Sequence, residues 1–186
     1  MDEYLFFNRI LSDKFRSSSK KVMIEDNVQK TSINDKGKGL VDYELYRFDS
    51  SDTSNDFLAF FDKSDNAPKH LRAFCDYIML AQVQDKFYVL LIELKSGDIS
   101  HATEQLRASE LFVNYIKNTI ERIKAANHKA DDLDTQSIIV RKIIVKKVKM
   151  RPPTNFTKST DISIVDDHFV YKTNVFDITH ICRGVG

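Results

Sequence analysis

Two carboxylates and a lysine lie in the most apolar part of this chain. Asp76 follows Phe74-Cys75, and Glu93 and Lys95 flank Leu94 at the end of the run that begins at Phe87. Residues of these types suit phosphodiester hydrolysis. That reaction needs a hard divalent cation on the scissile phosphate, and such cations prefer carboxylate oxygens, with water and substrate oxygens completing the shell. Asp76 and Glu93 supply two acids, and the backbone carbonyl of Leu94 is a further candidate ligand. A lysine beside the cation orients or helps deprotonate the attacking water and stabilises developing negative charge. Lys95 has that place, and Mg²⁺ or Mn²⁺ is the expected cofactor.

These side chains work together only if secondary structure gathers them. Phe74 to Val83 and Lys86 to Lys95 are two apolar, β-favouring runs separated by Gln84-Asp85, which predicts a hairpin, although the turn lacks the favoured Asn-Gly or Asp-Gly. With Gln84 and Asp85 as the two loop residues, Val83 pairs with Lys86, and the register carries Asp76 opposite Glu93. Directly opposed residues share one face of a sheet, and Lys95, two residues beyond Glu93, joins them there. After Gly97, Asp98 or Ser100 can cap a long helix reaching to about Asn127. Leu106, Val113, Ile116, Ile120 and Ile123 form much of its apolar stripe, and Gln105 lies in its first turns.

Cys75-Asp76-Tyr77-Ile78, then Leu91-Ile92-Glu93-Leu94-Lys95-Ser96-Gly97, then a helix bearing Gln105-Leu106 resemble the PD-(D/E)XK, or restriction-endonuclease-like, nuclease superfamily. The resemblance spans about Leu71 to Ile123. It implies an α/β domain with an αβββαβ core, a central mixed sheet flanked by helices, and metal-dependent cleavage of nucleic acid, with DNA the expected substrate and water the direct nucleophile. It also implies roles: Asp76 and Glu93 as metal ligands, Lys95 as the catalytic lysine, and Gln105 as the supporting glutamine of the following helix. Restriction, phage defence or DNA processing would be the setting. Two features depart from the family pattern. Cys75 stands where the family name has proline, and no early-helix acid is placed by the pattern. Glu25 and Glu3 are the candidates for that acid, with Glu25 preferred because it follows Val22-Met23-Ile24.

Plainer readings stand beside these. Glutamines on helices are usually exposed, and the lesser alternative for Lys95 is a structural ion pair with Glu93 or Asp76 at a sheet edge. A catalytically silent nuclease-like fold that serves as a binding or assembly module is the alternative function. It draws support from a net charge of only +1, which gives little long-range attraction for phosphates. Retention of Asp76, Glu93 and Lys95 together favours the enzyme. The strongest basic run is Arg141, Lys142, Lys146, Lys147, Lys149 and Arg151. In an extended strand Lys147, Lys149 and Arg151 share one face, which suits either contact with a nucleic-acid backbone or a lysine-guarded edge strand.

The remainder sets the frame. At 186 residues, 42% hydrophobic and 30% charged, the chain suits one globular α/β domain over 1–186, with its motif-bearing core at about 71–151. Glu3 to Phe15 predicts a short amphipathic helix, a helical segment of about 3–16. Val22 to Ile24, Leu40 to Phe48, Ile138 to Met150, Ile162 to Val165 and His168 to Tyr171 predict strands, the last two around a turn at Asp166-Asp167. The segment before Gly37-Lys38-Gly39 reads as a polar stretch and the end of the chain as a short tail. Phe57 to Phe61 is a candidate oligomerisation patch, so a homo-oligomer or larger complex is a possible partner state. Cys75 and Cys182 match no metal or disulfide pattern and read as buried thiols. His70, His168 and His180 lack zinc spacing, and His101 reads as an exposed residue near the helix start. No run is long enough to span a membrane, and the opening Met1-Asp2-Glu3 lacks a signal-peptide pattern, so the expected location is cytoplasmic.

Overall fold

Tyr77 to Val83 and Lys86 to Lys95 have side chains buried almost throughout. Strands covered on both faces lose the polar alternation of a half-exposed sheet, so they read as continuous apolar runs. The computed structural model describes residues 11–25, 29–48, 73–126, 137–146, 161–165 and 167–184. In chain order these form strands β1 (Val22–Glu25), β2 (Gln29–Asn34), β3 (Leu40–Arg47), β4 (Tyr77–Val83) and β5 (Lys86–Lys95), then helix α1 (Ala102–Ala126). They continue with β6 (Ile139–Lys146), β7 (Asp161–Val165), β8 (His168–Lys172), β9 (Val175–Asp177) and helix α2 (Ile178–Arg183).

Six strands make the main sheet, in the order β3-β4-β5-β6-β8-β7. The β3/β4, β4/β5 and β7/β8 pairs are antiparallel, whereas β5/β6 and β6/β8 are parallel. The sheet is therefore mixed, as expected. Val83 pairs with Lys86 and the ladder runs to Tyr77 opposite Ile92, so the expected hairpin register is the observed one. The parallel β5/β6 pair needs a crossover, and α1 supplies it.

The two faces of the sheet are covered differently. On one, α1 lays Leu106, Val113, Ile116 and Ile120 against Ile78, Leu80, Val89, Leu91 and Ile144. On the other, a small sheet ordered β1-β2-β9 and the helix α2 bury Met23, Ile33, Phe176, Ile178 and Ile181 against Met79, Leu90, Ile92 and Tyr171.

Three sequence expectations change. The helix over Glu3 to Phe15 lies mostly outside the described residues, and its described end is a short 3₁₀ turn, Asp13–Phe15. The Ser12 hydroxyl accepts the Lys14 N–H and starts that turn afresh. The polar stretch before Gly37 contains β2, whose Thr31 and Ile33 are buried while Lys30 and Ser32 are exposed. With one strong apolar residue on its inner face, β2 gives little periodic signal. The tail contains β9 and α2. Asp177 caps α2 by accepting the His180 N–H at 3.0 Å, and Gly184 ends it in a left-handed conformation. Among the described residues, no helix is long and apolar enough to cross a membrane.

Candidate active site

The site forms where β4 begins and β5 ends. Glu93 alternates with Leu91 and Val89, so it points to the α1 face, yet it is only 1% exposed. Asp76, just before β4, is 8% exposed. Burying a carboxylate is costly unless it is paired and hydrogen-bonded. Both acids are. The Asp76 Oδ2 accepts the backbone N–H of Leu94 at 2.7 Å, and the Glu93 Oε2 accepts the backbone N–H of Asp76 at 3.2 Å. Each carboxylate thus grips the main chain of the opposite strand and locks the open end of the hairpin.

Lys95 completes the charge arrangement. Its Nζ lies 2.5 Å from Glu93 Oε1 and donates to Gln105 Oε1 at 3.1 Å. The side-chain amide of Gln105 in turn donates to the Phe74 carbonyl at 3.2 Å. Gln105 therefore joins α1 to both the lysine and the segment leading into Asp76. It is not the exposed helix glutamine of the plainer reading.

Sequence reasoning overlooked Ser109. Fully buried and one helical turn after Gln105, it accepts the Cys75 N–H through Oγ at 2.9 Å and donates to the Gln105 carbonyl at 2.9 Å. A serine inside the apolar stripe of α1 was the available signal. Cys75 itself is buried, and burial pushes its thiol well above the usual range. Phe74 is held by an aromatic cluster with Phe48 and Phe112 at centroid distances of 5.1 and 5.5 Å. The loop carrying Asp76 is thus fixed from both sides.

As a donor set, two carboxylates fit a hard cation such as Mg²⁺, which takes one or two protein acids and keeps waters or substrate oxygens. The Leu94 N–H points to the β4 side, toward Asp76. In an extended strand the N–H and C=O of one residue point to the same edge, so the Leu94 carbonyl is directed beyond the start of β4. Among the described residues, no group of three or more His, Cys, Asp or Glu side chains gathers as a metal site.

The other candidates fall elsewhere. Glu25 ends β1 as the register partner of Gln29, in the small sheet on the face away from α1, and its side chain lies outside the described residues. Glu3, Lys147, Lys149, Arg151 and the patch Phe57 to Phe61 also lie outside them. Of the basic run, Arg141 donates to the Cys182 carbonyl at 3.0 Å and sits 5.2 Å over the Phe169 ring. Lys142 pairs with Glu110 at 3.0 Å and with Asp167. Both are therefore engaged in the fold. His101 is 64% exposed, as expected, and His168 is buried beside Asp167.

Comparison with protein-family models, curated proteins and solved structures matches nothing to this chain.

Proposed function

We propose that this chain is a metal-dependent phosphodiesterase that hydrolyses nucleic acid, with DNA the first substrate to test, and that its core is of the restriction-endonuclease-like kind. The observation that carries the reading is one hydrogen-bonded network of Asp76, Glu93, Lys95 and Gln105, drawn from the two strands of a hairpin and the following helix. Two acids and one lysine leave a local excess of negative charge in a buried setting, which favours a cation. The order β3-β4-β5-β6, antiparallel twice and then parallel with α1 between β5 and β6, supports the βββαβ part of such a core.

In this reading Asp76, Glu93 and the Leu94 carbonyl hold Mg²⁺ or Mn²⁺. The bound ion would polarise the phosphate and lower the pKa of a coordinated water. Lys95, steadied by Gln105, presents an ammonium to the attacking water or to the charge that builds on the phosphoryl oxygens. Gln105 also holds the Phe74 carbonyl, so the lysine and the Asp76 loop keep a fixed spacing. Such positioning accounts for a large part of the rate in phosphate chemistry.

The test is cleavage of plasmid DNA, linear DNA and RNA with Mg²⁺, Mn²⁺ or EDTA. Wild type should cut only with metal, and Glu93→Ala and Lys95→Ala should each lose at least about a hundredfold in rate. A folded wild type that neither cuts nor binds metal by calorimetry would instead identify a silent binding or assembly module.

A further inference from the structure

Helix α1 buries one stripe against the main sheet and leaves a second uncovered. The buried stripe runs from Ala102 through Leu106, Ser109, Val113 and Ile116 to Ile120, in alternating steps of four and three residues. Two residues further along, Glu104, Ala108, Leu111, Tyr115, Asn118 and Arg122 repeat the same steps. Ala108 is half-buried and the other five are exposed, with Leu111 and Tyr115 keeping 66% and 68% of their surface open. Steps of four and three hold side chains on one line along a helix, and they are the spacing by which one helix packs against another. Leu111 and Tyr115, one turn apart, form the apolar centre of that line.

The order of residue types along the line selects the partner. Laid antiparallel on a copy of itself, about a two-fold axis level with Val113, the line sets Leu111 against Tyr115, Ala108 against Asn118 and Glu104 against Arg122. Each pair then occurs twice across the axis, which is the self-complementarity that a two-fold contact requires. On the flank of the same face, exposed Arg107 comes opposite exposed Glu121. A parallel pairing would instead bring Glu104 to Glu104 and Arg122 to Arg122, and like charges across an interface are unfavourable. Arg107 and Arg122 make no ion pair among the described residues. Glu104 and Glu121 have neighbours on their own helix, His101 at 3.8 Å and Lys124 at 3.4 Å, and would gain an arginine each from the second copy.

We infer that two copies of this chain form a homodimer by pairing their α1 helices antiparallel, with Leu111 and Tyr115 at the centre and Glu104 and Arg122 closing both ends. The inference stands apart from the nuclease reading, because none of these side chains belongs to the network of Asp76, Glu93, Lys95 and Gln105. Gln105 lies about two turns from the level of the axis, so the pairing holds the two networks about 24 Å apart along the helices, at 1.5 Å per residue. A contact of one helix from each copy is small, under about 1,200 Å² in total. Its strength then depends on the quality of its centre, where a tyrosine ringed by polar residues is a favourable anchor, and micromolar association is expected.

The experiment is sedimentation equilibrium of the full chain over a wide range of concentration, with every variant checked for folding by circular dichroism and thermal unfolding. Wild type should follow a monomer–dimer equilibrium. Leu111→Ser and Tyr115→Ser should each weaken it at least about tenfold, and because both side chains are exposed the fold should be kept. Arg122→Glu sets like charges opposite Glu104 and should weaken association several-fold, more so at low salt. Adding Glu104→Arg to that variant exchanges the two ends and should restore wild-type association, a loss and recovery that the antiparallel register alone produces. A wild type that stays monomeric throughout, or a dimer that folded Leu111→Ser and Tyr115→Ser leave unchanged, overturns the inference. A dimer weakened by those changes but not recovered by the double exchange overturns the antiparallel pairing.

Discussion

Ser109 has no exposed surface, and its hydroxyl bridges the Cys75 N–H to the Gln105 carbonyl. Ser109→Ala leaves the buried Cys75 N–H without that acceptor, and an orphaned buried donor costs about 1 to 3 kcal/mol. Urea unfolding should show a loss in that range. A stability equal to wild type would mean that the bridge contributes nothing net. Asp76, Glu93 and Lys95 were legible because a two-residue turn determines the pairing of every residue behind it, so one register places all three, while Gln105 was expected from the family resemblance on the helix that follows. Ser109 was not legible. A lone serine in an apolar stripe looks the same whether its hydroxyl bonds back within the helix or reaches across to another segment. Lys146 was legible only as part of the basic run, and that it lies beside Lys172 was not, because the two become neighbours only when β6 and β8 pair in parallel, 26 residues apart in sequence.

At the scale of elements, the β4/β5 hairpin carries a local fault. Gln84 has a φ of 57°, left-handed territory that L-residues other than Asn, Asp and Gly rarely occupy. The conformation costs an L-residue about 1 to 2 kcal/mol, whereas glycine adopts it freely at an added folding-entropy cost of about 0.5 to 1 kcal/mol. Gln84→Gly should therefore stabilise the protein by about 0.5 to 1 kcal/mol, read by chemical denaturation, with the hairpin register unchanged. A loss of stability would show that contacts of the Gln84 side chain with the Gly39 segment outweigh the strain. The hairpin still forms despite this turn because the apolar ladder from Tyr77 to Val83 is buried on both faces. β2 and β9 show the converse. Ser32 pairs with Val175 in a parallel ladder, and neither short segment carries enough apolar pattern to announce a strand.

For the molecule as a whole, a mixed sheet covered by α1 on one face and by the small sheet and α2 on the other leaves both cysteines inside. Burial raises the Cys75 thiol above its usual range and pushes Cys182 up to about 12. A raised folded-state value means that the native protein keeps protons which the unfolded chain gives up near the ordinary thiol value. The resulting stability is fully present below that value and is lost as pH rises through the interval between the unfolded and folded values. The unfolding free energy should therefore fall steadily from about pH 9 upward, by about 1.4 kcal/mol per pH unit for each buried thiol, and the melting temperature should fall with it. Cys182→Ala should flatten the decline, whatever its effect at neutral pH. An equally steep decline in that variant would assign the base sensitivity to the raised tyrosines, Tyr43 and Tyr171, both pushed up to about 12 by burial.

The sequence by itself determined the mixed α/β character, the hairpin with its register, the long helix after it, and the four side chains meeting at one end of β5. The hairpin, its register and the helix follow from periodicity and from pairing across a short turn, which act over neighbouring residues, whereas the mixed sheet and the place of Gln105 were expected from the family resemblance. Only the tertiary structure decided how the second face of the sheet is closed, that Ser109 braces the Asp76 loop, and that Lys95, Lys146 and Lys172 stand in one row. Each of those depends on segments far apart in the chain. Their contacts are set by burial and by the pairing of strands in the folded state, and those forces leave no local pattern to read.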